Sequence, residues 1–347
     1  MTDPQWDSLL KTIKGETQHA LPVGFIIDCP WLPNWHGVRI LDYFTNDALW
    51  LEANLKALRT FPDAMFLPGF WSEVGMCTEP SAFGARCSFP ANEFPHAHKI
   101  IHTTQDIDDL VVPDPHTDGF APFVLNRLKL AQPHIEAAGH KIRFAVARGP
   151  LNIASYLMGT TEFLTLMMME PDKAELLLRK ITDYLKAWLT LQRETFPSID
   201  GIFMLDDIIG FMGEDEFRTF GLPLFKELFD PSVSVRFLHN DAPCKTCAPI
   251  LPEMNVNLFN MGFEVTLNEL KVLTQNKVTL VGNLPPRDVL AKADAAGVFA
   301  ATTAMLDVMP DKSRMIFSCG GGMPPGVSTA NVNAFIDAVR QYPGSKG

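Results

Sequence analysis

The sequence predicts an α/β protein, a (β/α)8 TIM barrel with an N-terminal helical extension and long loops over its C-terminal face. Eight short apolar runs recur along the chain, and most of them precede a longer helical segment. The runs are continuously apolar, which is typical of parallel strands buried on both faces. The 347 residues also fit the length of one such barrel, so we expect a single domain over residues 1–347.

The predicted elements follow one another in strand–helix order. Strands are expected at 22–28, 64–70, 143–149, 201–207, 233–240, 257–262, 278–283 and 315–321. Helices are expected near 46–61, 171–196, 214–230, 244–252, 267–274 and 328–342, with two helical stretches before Met309. The segment 71–142 is rich in proline, so we expect insertions over one barrel end there. An open doubly wound sheet is the alternative, but no glycine-rich phosphate turn follows the first strand.

Composition excludes several classes of protein. The chain has 29 Lys and Arg against 40 Asp and Glu, a net charge of −11, and no basic cluster. We therefore expect neither nucleic acid nor a membrane as a partner. No apolar run reaches about 18 residues, as a membrane span requires. Six cysteines do not form a disulfide framework, which predicts a cytoplasmic protein with free thiols.

Polar residues stand at the ends of the predicted strands, where a barrel of this class carries its chemistry. They are Asp28, Cys29, Arg148, Asp206, Asp207, His239, Asn240, Asp241, Glu264, Asn283 and Cys319. Capping of the following helices explains an Asp or Asn at such a position. It explains His239 and Cys319 poorly, so we predict a polar site over the packed core.

The residue types at this site are competent zinc ligands. His239 and Asp241 share one side of an extended segment, and Cys319 follows a strand further round the barrel. Three protein ligands leave one position open for a substrate. Glu79 could join them if its loop covers the barrel. The alternative is a hydrogen-bonded core histidine beside a buried thiol, which the spacing alone favours.

Aromatic residues predict an apolar substrate pocket. Trp31, Trp35, Phe70 and Trp71 lie where a lid over the cleft would be, and Arg148 and Asn283 are assigned to substrate binding with them. The alternative is packing under long loops, since tryptophan is mostly buried anyway.

Residues 114–119 spell Asp-Pro-His-Thr-Asp-Gly, the D-x-H-x-x-G pattern that supplies a cobalt ligand in corrinoid-binding domains. Here the pattern lies in a proline-rich turn, whose Asp, Pro and Gly are typical turn residues. We interpret it as a turn, so any corrinoid is expected on a separate protein.

Several segments resemble the uroporphyrinogen decarboxylase superfamily in order and spacing. They are TEPSAFGARCSF, RGPLNIASYLMG, DDIIGFMGEDEFRTFGLPLFKELFD, VGNLPPRDVL and SCGGGMPPGVSTANVNAFIDAV. The resemblance runs from about residue 20 to the end, and it implies a (β/α)8 barrel with its cleft at the strand C-termini.

The haem-pathway decarboxylases of that superfamily use residues that this chain mostly lacks. Of their motif positions only the tyrosine is matched, by Tyr156. The N-terminal loop has the single arginine Arg39 where they have two, their serine position holds Asp207, and their histidine position holds Gly321. A substrate with many carboxylates also needs a cationic funnel, which this acidic chain does not offer.

The corrinoid-dependent methyltransferases are the closer branch. The resemblance implies zinc held by His-x-Cys after the fifth strand and by a loop cysteine, and here these positions hold His239, Asp241 and Gly321, with Cys319 two residues before the last. The hypothesis is zinc-assisted methyl transfer between a corrinoid protein and a small methoxylated or thiol substrate. Its metal ligands are His239, Asp241, Cys319 and Glu79, and its catalytic residues are Asp206, Asp207 and Tyr156.

Two alternatives stay open. A metal-free decarboxylase or lyase of the same superfamily would use Asp206, Asp207 and His239 for acid–base work on another substrate. A subunit without chemistry of its own would only bind a corrinoid protein. Barrels of this kind often dimerise, so a homodimer is a further possibility.

Overall fold

The computed structural model describes residues 1–16, 18, 20–27 and 30–343. Eight parallel strands run through this part of the chain, which confirms the predicted α/β barrel class. They are β1 (Gly24–Ile26), β2 (Met65–Leu67), β3 (Phe144–Arg148), β4 (Gly201–Leu205), β5 (Val235–Asn240), β6 (Leu258–Met261), β7 (Thr279–Leu284) and β8 (Met315–Cys319). A short antiparallel hairpin pairs Cys87–Ser88 with His96–Ala97.

The strands form two hydrogen-bonded groups that adjoin each other. Strands β3 to β8 make a six-stranded sheet in chain order, and β1 pairs with β2. Bridges from Val23 to Phe317 and from Ile26 to Gly322 connect β1 with the β8 side. Between β2 and β3 the described residues show no ladder, so the ring is hydrogen-bonded everywhere except at this seam.

Helices surround the strands. The α-helices span Asp3–Lys14, Trp31–His36, Ile40–Thr45, Asp47–Thr60, Thr78–Ala82, Thr104–Asp109, Ala121–Ala137, Pro150–Met158, Thr160–Met169, Pro171–Thr195, Glu214–Glu216, Leu222–Leu228, Leu267–Leu273, Ala295–Asp307 and Thr329–Gln341. Ile208–Phe211 and Ala248–Met254 are 3₁₀ turns, and Phe217–Gly221 and Pro286–Ala291 are π turns. No helix in the described chain is both long and apolar enough to cross a membrane.

The N-terminal helix closes the base of the barrel. Thr2 caps it in a reciprocal arrangement with Gln5, so the first turn is satisfied locally. Trp6, Leu9 and Ile13 then project from one face into the barrel interior. The Trp6 ring meets Phe144, at the start of β3, edge to face with centroids 5.5 Å apart. The predicted N-terminal helical extension is therefore present and serves as the floor.

Segment 71–142 is an insertion, as predicted, and it contributes to the open end of the barrel through Glu73 and Phe94. It also holds the 17-residue helix Ala121–Ala137, which the sequence analysis did not assign. The helix Pro150–Met158 was missed as well. Eight of its nine residues are buried, so it lacks the polar face that reveals an amphipathic helix.

Candidate functional site

A cleft of about 530 Å³ opens at the C-terminal ends of the strands. This volume lies in the range of pockets that hold small organic molecules. Its polar and charged lining residues are Glu73, Arg148, His239, Asp241, Arg287, Asp288 and Lys292, and its apolar lining includes Ile26, Trp71, Phe94, Leu205, Phe263 and Met323. Residues from most of the strand ends therefore meet in one place, as the barrel class predicts.

The imidazole of His239 is the best-defined group in the cleft. Its Nδ1 lies 2.7 Å from Oδ1 of Asn260, which sits directly opposite on β6. Asn260 donates its own Nδ2 hydrogen to the carbonyl of Val281. Because Nδ2 is used in this bond, the amide oxygen Oδ1 faces the histidine. Nδ1 of His239 therefore donates its hydrogen to Asn260. The other ring nitrogen, Nε2, is left to exchange a proton.

Asp241 faces that second nitrogen. Its Oδ2 lies 3.6 Å from Nε2 of His239, and its side chain is 53% exposed while the histidine side chain is only 8% exposed. Burial alone would lower the pKa of His239, but the charges of Asp241 and Asp207 outweigh it and raise the pKa to about 9. The pair thus forms a protonated imidazole beside a carboxylate at the edge of the cleft.

Asp207 and Gly321 hold Asp241 in place. The Asp207 carboxylate accepts a hydrogen bond of 2.7 Å from the backbone N–H of Asp241. Gly321 has a left-handed backbone with φ of 68°, and a Cβ there would overlap the Asp241 carboxylate. The carboxylate therefore occupies the space that a side chain at position 321 would need.

Cys319 does not join this pair in the structure, so its assignment as a metal ligand stays a prediction. It shares the outward parity of Met315 and Phe317, whereas Ile316 faces the barrel interior. The thiol is fully buried and lies 3.8 Å from the carbonyl of Gly321. Burial raises the pKa of this thiol to about 12.

Glu79 also lies apart from the pair. It is 4% exposed, and its Oε1 accepts the backbone N–H of Arg148 at 2.9 Å, so it secures the end of β3. Burial raises its pKa. Among the described residues, no group of three His, Cys, Asp or Glu side chains is arranged to hold a metal ion. Asp28 and Cys29, at the end of the first strand, lie outside the described residues.

The donor set does not fit a catalytic zinc, which takes three protein ligands. His239 and Asp241 supply two, and position 321, where the resemblance places the third, is a glycine. The predicted zinc therefore stays a prediction, and no step below uses a metal.

Arg148 forms the other side of the cleft. Its Nη2 donates to Oε2 of Glu73 at 2.8 Å, and its side chain is 11% exposed. The guanidinium lies over the rings of Trp71 and Phe94, 5.7 and 5.9 Å from their centroids. Burial alone would lower its pKa, but Glu73, Tyr156 and Glu79 keep it above the ordinary value. Arg148 and Trp71 are thus placed where a substrate would contact them.

Asp206 is fully buried. Its carboxylate accepts the backbone N–H groups of Leu151, Asn152 and Ile208, so it caps the helix Pro150–Met158. Burial raises its pKa well above the usual value. This geometry gives Asp206 a structural role, and a catalytic one stays a prediction.

Tyr156 lies close enough to Arg148 and Asp207 for their charges to act on its hydroxyl. Burial raises the pKa of its hydroxyl to about 12, against the lowering effect of the Arg148 charge, and Asp207 adds to the increase. A hydroxyl with this pKa is a proton-holding group near neutral pH. Its catalytic assignment stays a prediction.

Four residues predicted to bind substrate lie outside the lining of this cleft, so their substrate-binding role stays a prediction. Trp31 stacks on Trp35 at 5.3 Å, and their indole N–H groups donate to the carbonyl of Val327 and the hydroxyl of Thr329. These two hydrogen bonds attach the helix Trp31–His36 to the C-terminal segment at Val327 and Thr329.

The other two are held by neighbours of their own. Phe70 packs against Trp50 and His140. Asn283 donates to the carbonyl of Val265 at 2.8 Å. Both side chains therefore contact residues around the strands and do not line the cleft.

Several lining residues were missed by the sequence analysis. Arg287, Asp288 and Lys292 follow β7 in the PPRDVLAK segment, and Phe263 follows β6. The signal was present, since these positions directly follow predicted strands. The turn predicted at 114–119 is confirmed: Asp114 accepts from both the backbone N–H and the ring of His116.

An eight-stranded parallel barrel with a polar cleft at its strand C-termini is a class of fold used by many enzymes. The family model "Uroporphyrinogen decarboxylase (URO-D)" matches residues 5–342, so the chain belongs to the uroporphyrinogen decarboxylase family.

Curated relatives and solved structures are similar over most of the chain. The uroporphyrinogen decarboxylase of Chlorobium limicola is 25% identical over 257 residues, 70% of each chain. That of Mannheimia succiniciproducens is 24% identical and covers 99% of this chain and 98% of its own. A methyltransferase from Methanosarcina mazei superposes with a TM-score of 0.80 at 20% identity, covering 95% and 96%. A B12-independent methionine synthase from Shewanella gives 0.59 at 11% identity, covering 93% and 98%.

Proposed function

We propose that this protein is a methyltransferase that moves a methyl group between a small substrate in the mouth cleft and a corrinoid on a separate protein. His239 exchanges the proton at the substrate heteroatom. The observation that carries the proposal is the His239–Asp241 pair, with Nδ1 fixed on Asn260 and Nε2 directed to the cleft. The superposition on a methyltransferase supports the fold side of the proposal.

One proton moves for each methyl group transferred. When the bond between methyl carbon and heteroatom breaks, the electron pair stays on the heteroatom, which takes the proton from Nε2 of His239. The imidazolium becomes imidazole, and in the reverse direction it regains the proton. Asp241 stabilises the charged form. A corrinoid on the partner protein supplies the atom that accepts or donates the methyl group.

Charge disfavours a haem-pathway substrate. The cleft has the cations Arg148, Arg287 and Lys292 against the anions Glu73, Asp241 and Asp288. With His239 protonated, the net charge of the lining is about +1. A tetrapyrrole with many carboxylates needs a far more cationic site, although the curated relatives are named uroporphyrinogen decarboxylase.

A reduced-cobalamin assay tests the proposal. Cob(I)alamin replaces the partner's cofactor, 4-methoxybenzoate is the methyl donor, and methylcobalamin formation is followed by absorbance. The protein should form methylcobalamin and His239→Gln should not. Zinc measured after purification without added metal separates this proton step from the zinc-assisted transfer that the sequence predicts: less than a few tenths per chain supports the metal-free step, and stoichiometric zinc would contradict it.

A metal-free carboxy-lyase is the second candidate, favoured by one observation. Tyr156, the residue matched to the decarboxylase pattern, lies close enough to Arg148 and Asp207 for their charges to act on its pKa. Release of CO₂ from a small carboxylate without any methylcobalamin would favour this candidate over methyl transfer.

A further inference from the structure

The charges of the cleft are arranged in pairs with one exception. Arg148 Nη2 lies 2.8 Å from Glu73, Lys292 Nζ lies 2.8 Å from Asp288, and His239 Nε2 lies 3.6 Å from Asp241. Each of the three lining carboxylates therefore has a cationic partner within the protein.

Arg287 is the exception. It lines the cleft and is exposed, and within the described chain it has no ion pair or hydrogen bond of its side chain. Its charge still reaches the site, since it contributes to lowering the pKa of Asp241 against the opposing effect of burial. Among the described lining residues, Arg287 is the one cation without an ion-pair partner, so a negative group of a ligand would bind to it.

Three other lining residues, Trp71, Phe94 and Phe263, are aromatic. Trp71 is 6% exposed and packs edge to face on Phe203, which keeps its ring fixed. Phe94 is half-buried, and Phe263 is 49% exposed. Such rings favour a flat apolar ligand body, because aromatic surfaces gain from offset or edge contact with another ring.

We propose that Arg287 selects a substrate that carries a single carboxylate on a small aromatic body. One free cation matches one anionic group, and a second carboxylate on the ligand would meet only cations that are already paired. Arg287 is thus a specificity-determining residue, and it takes no part in the proton step. The inference rests on the proposed function only in placing the substrate in this cleft.

The test compares a ligand pair that differs in charge but hardly in shape. Binding of 4-methoxybenzoate and of 4-methoxybenzamide is measured by calorimetry on the full chain at pH 7. The acid should bind the unmodified protein at least about tenfold more tightly than the amide. Arg287→Gln should weaken acid binding about tenfold, as loss of a charge-assisted contact does, and leave amide binding unchanged.

Arg59→Gln is the matched control, because Arg59 is exposed on the helix Asp47–Thr60, away from the cleft lining, and its loss changes the net charge equally. It should leave both affinities unchanged. Equal weakening by Arg59→Gln and Arg287→Gln would overturn the inference, and so would acid binding that survives Arg287→Gln or is absent from the unmodified protein. The two proposals can fail separately. If Arg287→Gln loses the preference for the acid but no variant forms methylcobalamin, the proposed methyl transfer is overturned and the role of Arg287 in carboxylate binding still holds.

Discussion

The two ends of the barrel differ in what their residues do. At the base, Trp6, Leu9 and Ile13 plug the interior with apolar surface, and none is more than 9% exposed. At the mouth, the inward positions of the same strands become polar: Val235 and Phe237 precede His239 on β5. Apolar packing closes the base while the mouth carries polar groups, so substitutions at the two ends should have separate effects on stability and on activity.

Substitution of His239, at the mouth, should have the largest effect on activity. His239→Gln keeps a polar side chain but removes the proton exchanged at Nε2, so the rate of methyl transfer should fall about 10²- to 10⁴-fold. The midpoint of urea unfolding should change little. A rate within about threefold of the unmodified protein would show that His239 is only a core histidine.

The corresponding change at the base is Trp6→Ala. It removes a ring that is 4% exposed and in contact with Phe144, so the free energy of unfolding should fall by about 3–5 kcal/mol. The rate per folded molecule should stay the same, which is measured by activity below the unfolding transition. A large loss of rate without loss of stability would mean that the floor shapes the cleft.

Substitutions of Asp206 test whether its carboxylate caps a helix or takes part in catalysis. Asp206→Ala leaves the N–H groups of Leu151, Asn152 and Ile208 without their acceptor. We expect a loss of about 3 kcal/mol in unfolding free energy. Asp206→Asn keeps an acceptor oxygen and serves as the matched variant. If Asp206→Asn is stable yet inactive, the carboxylate itself has a part in catalysis.

Asp241 should set the alkaline limit of activity. The pKa of His239 is raised to about 9, so the proton-donating form is present below that pH and disappears as the pH rises through it. Asp241→Asn removes the largest raising influence, and the alkaline limb of the rate profile should move to lower pH. A shift of one unit corresponds to about a tenfold lower rate on that limb. If the alkaline limb of the rate profile does not move, a group other than His239 sets it.

The smallest expected effect lies at the cap of the base helix. Thr2→Ala removes a side-chain acceptor for the backbone N–H of Gln5, which should cost about 1 kcal/mol of unfolding free energy. Thr2→Ser retains the hydroxyl and should be nearly neutral. Equal losses in the two variants would show that the hydroxyl does not cap the helix.

Local pattern was sufficient for the strands but not for every helix. The continuous apolar runs marked all eight strands, because a strand buried on both faces needs no alternation. The helix Pro150–Met158 stayed hidden for the same reason, since burial on nearly all sides erases the 3.6-residue period. His239 and Asp241 were also recognisable, because two residues on one side of an extended segment must lie near each other.

The barrel, the end at which its polar residues gather and the proximity of His239 to Asp241 could be predicted from the residues, since these follow from burial and strand period. The folded structure was needed to show that Cys319 faces the surrounding helices, that Glu79 accepts from the backbone of Arg148 and that Arg287 reaches the cleft. The reason is geometric. The side chains at a strand end line the cleft or face the helices depending on the strand register and on the fold of the following loop. Neither can be predicted from the neighbouring residues in the sequence.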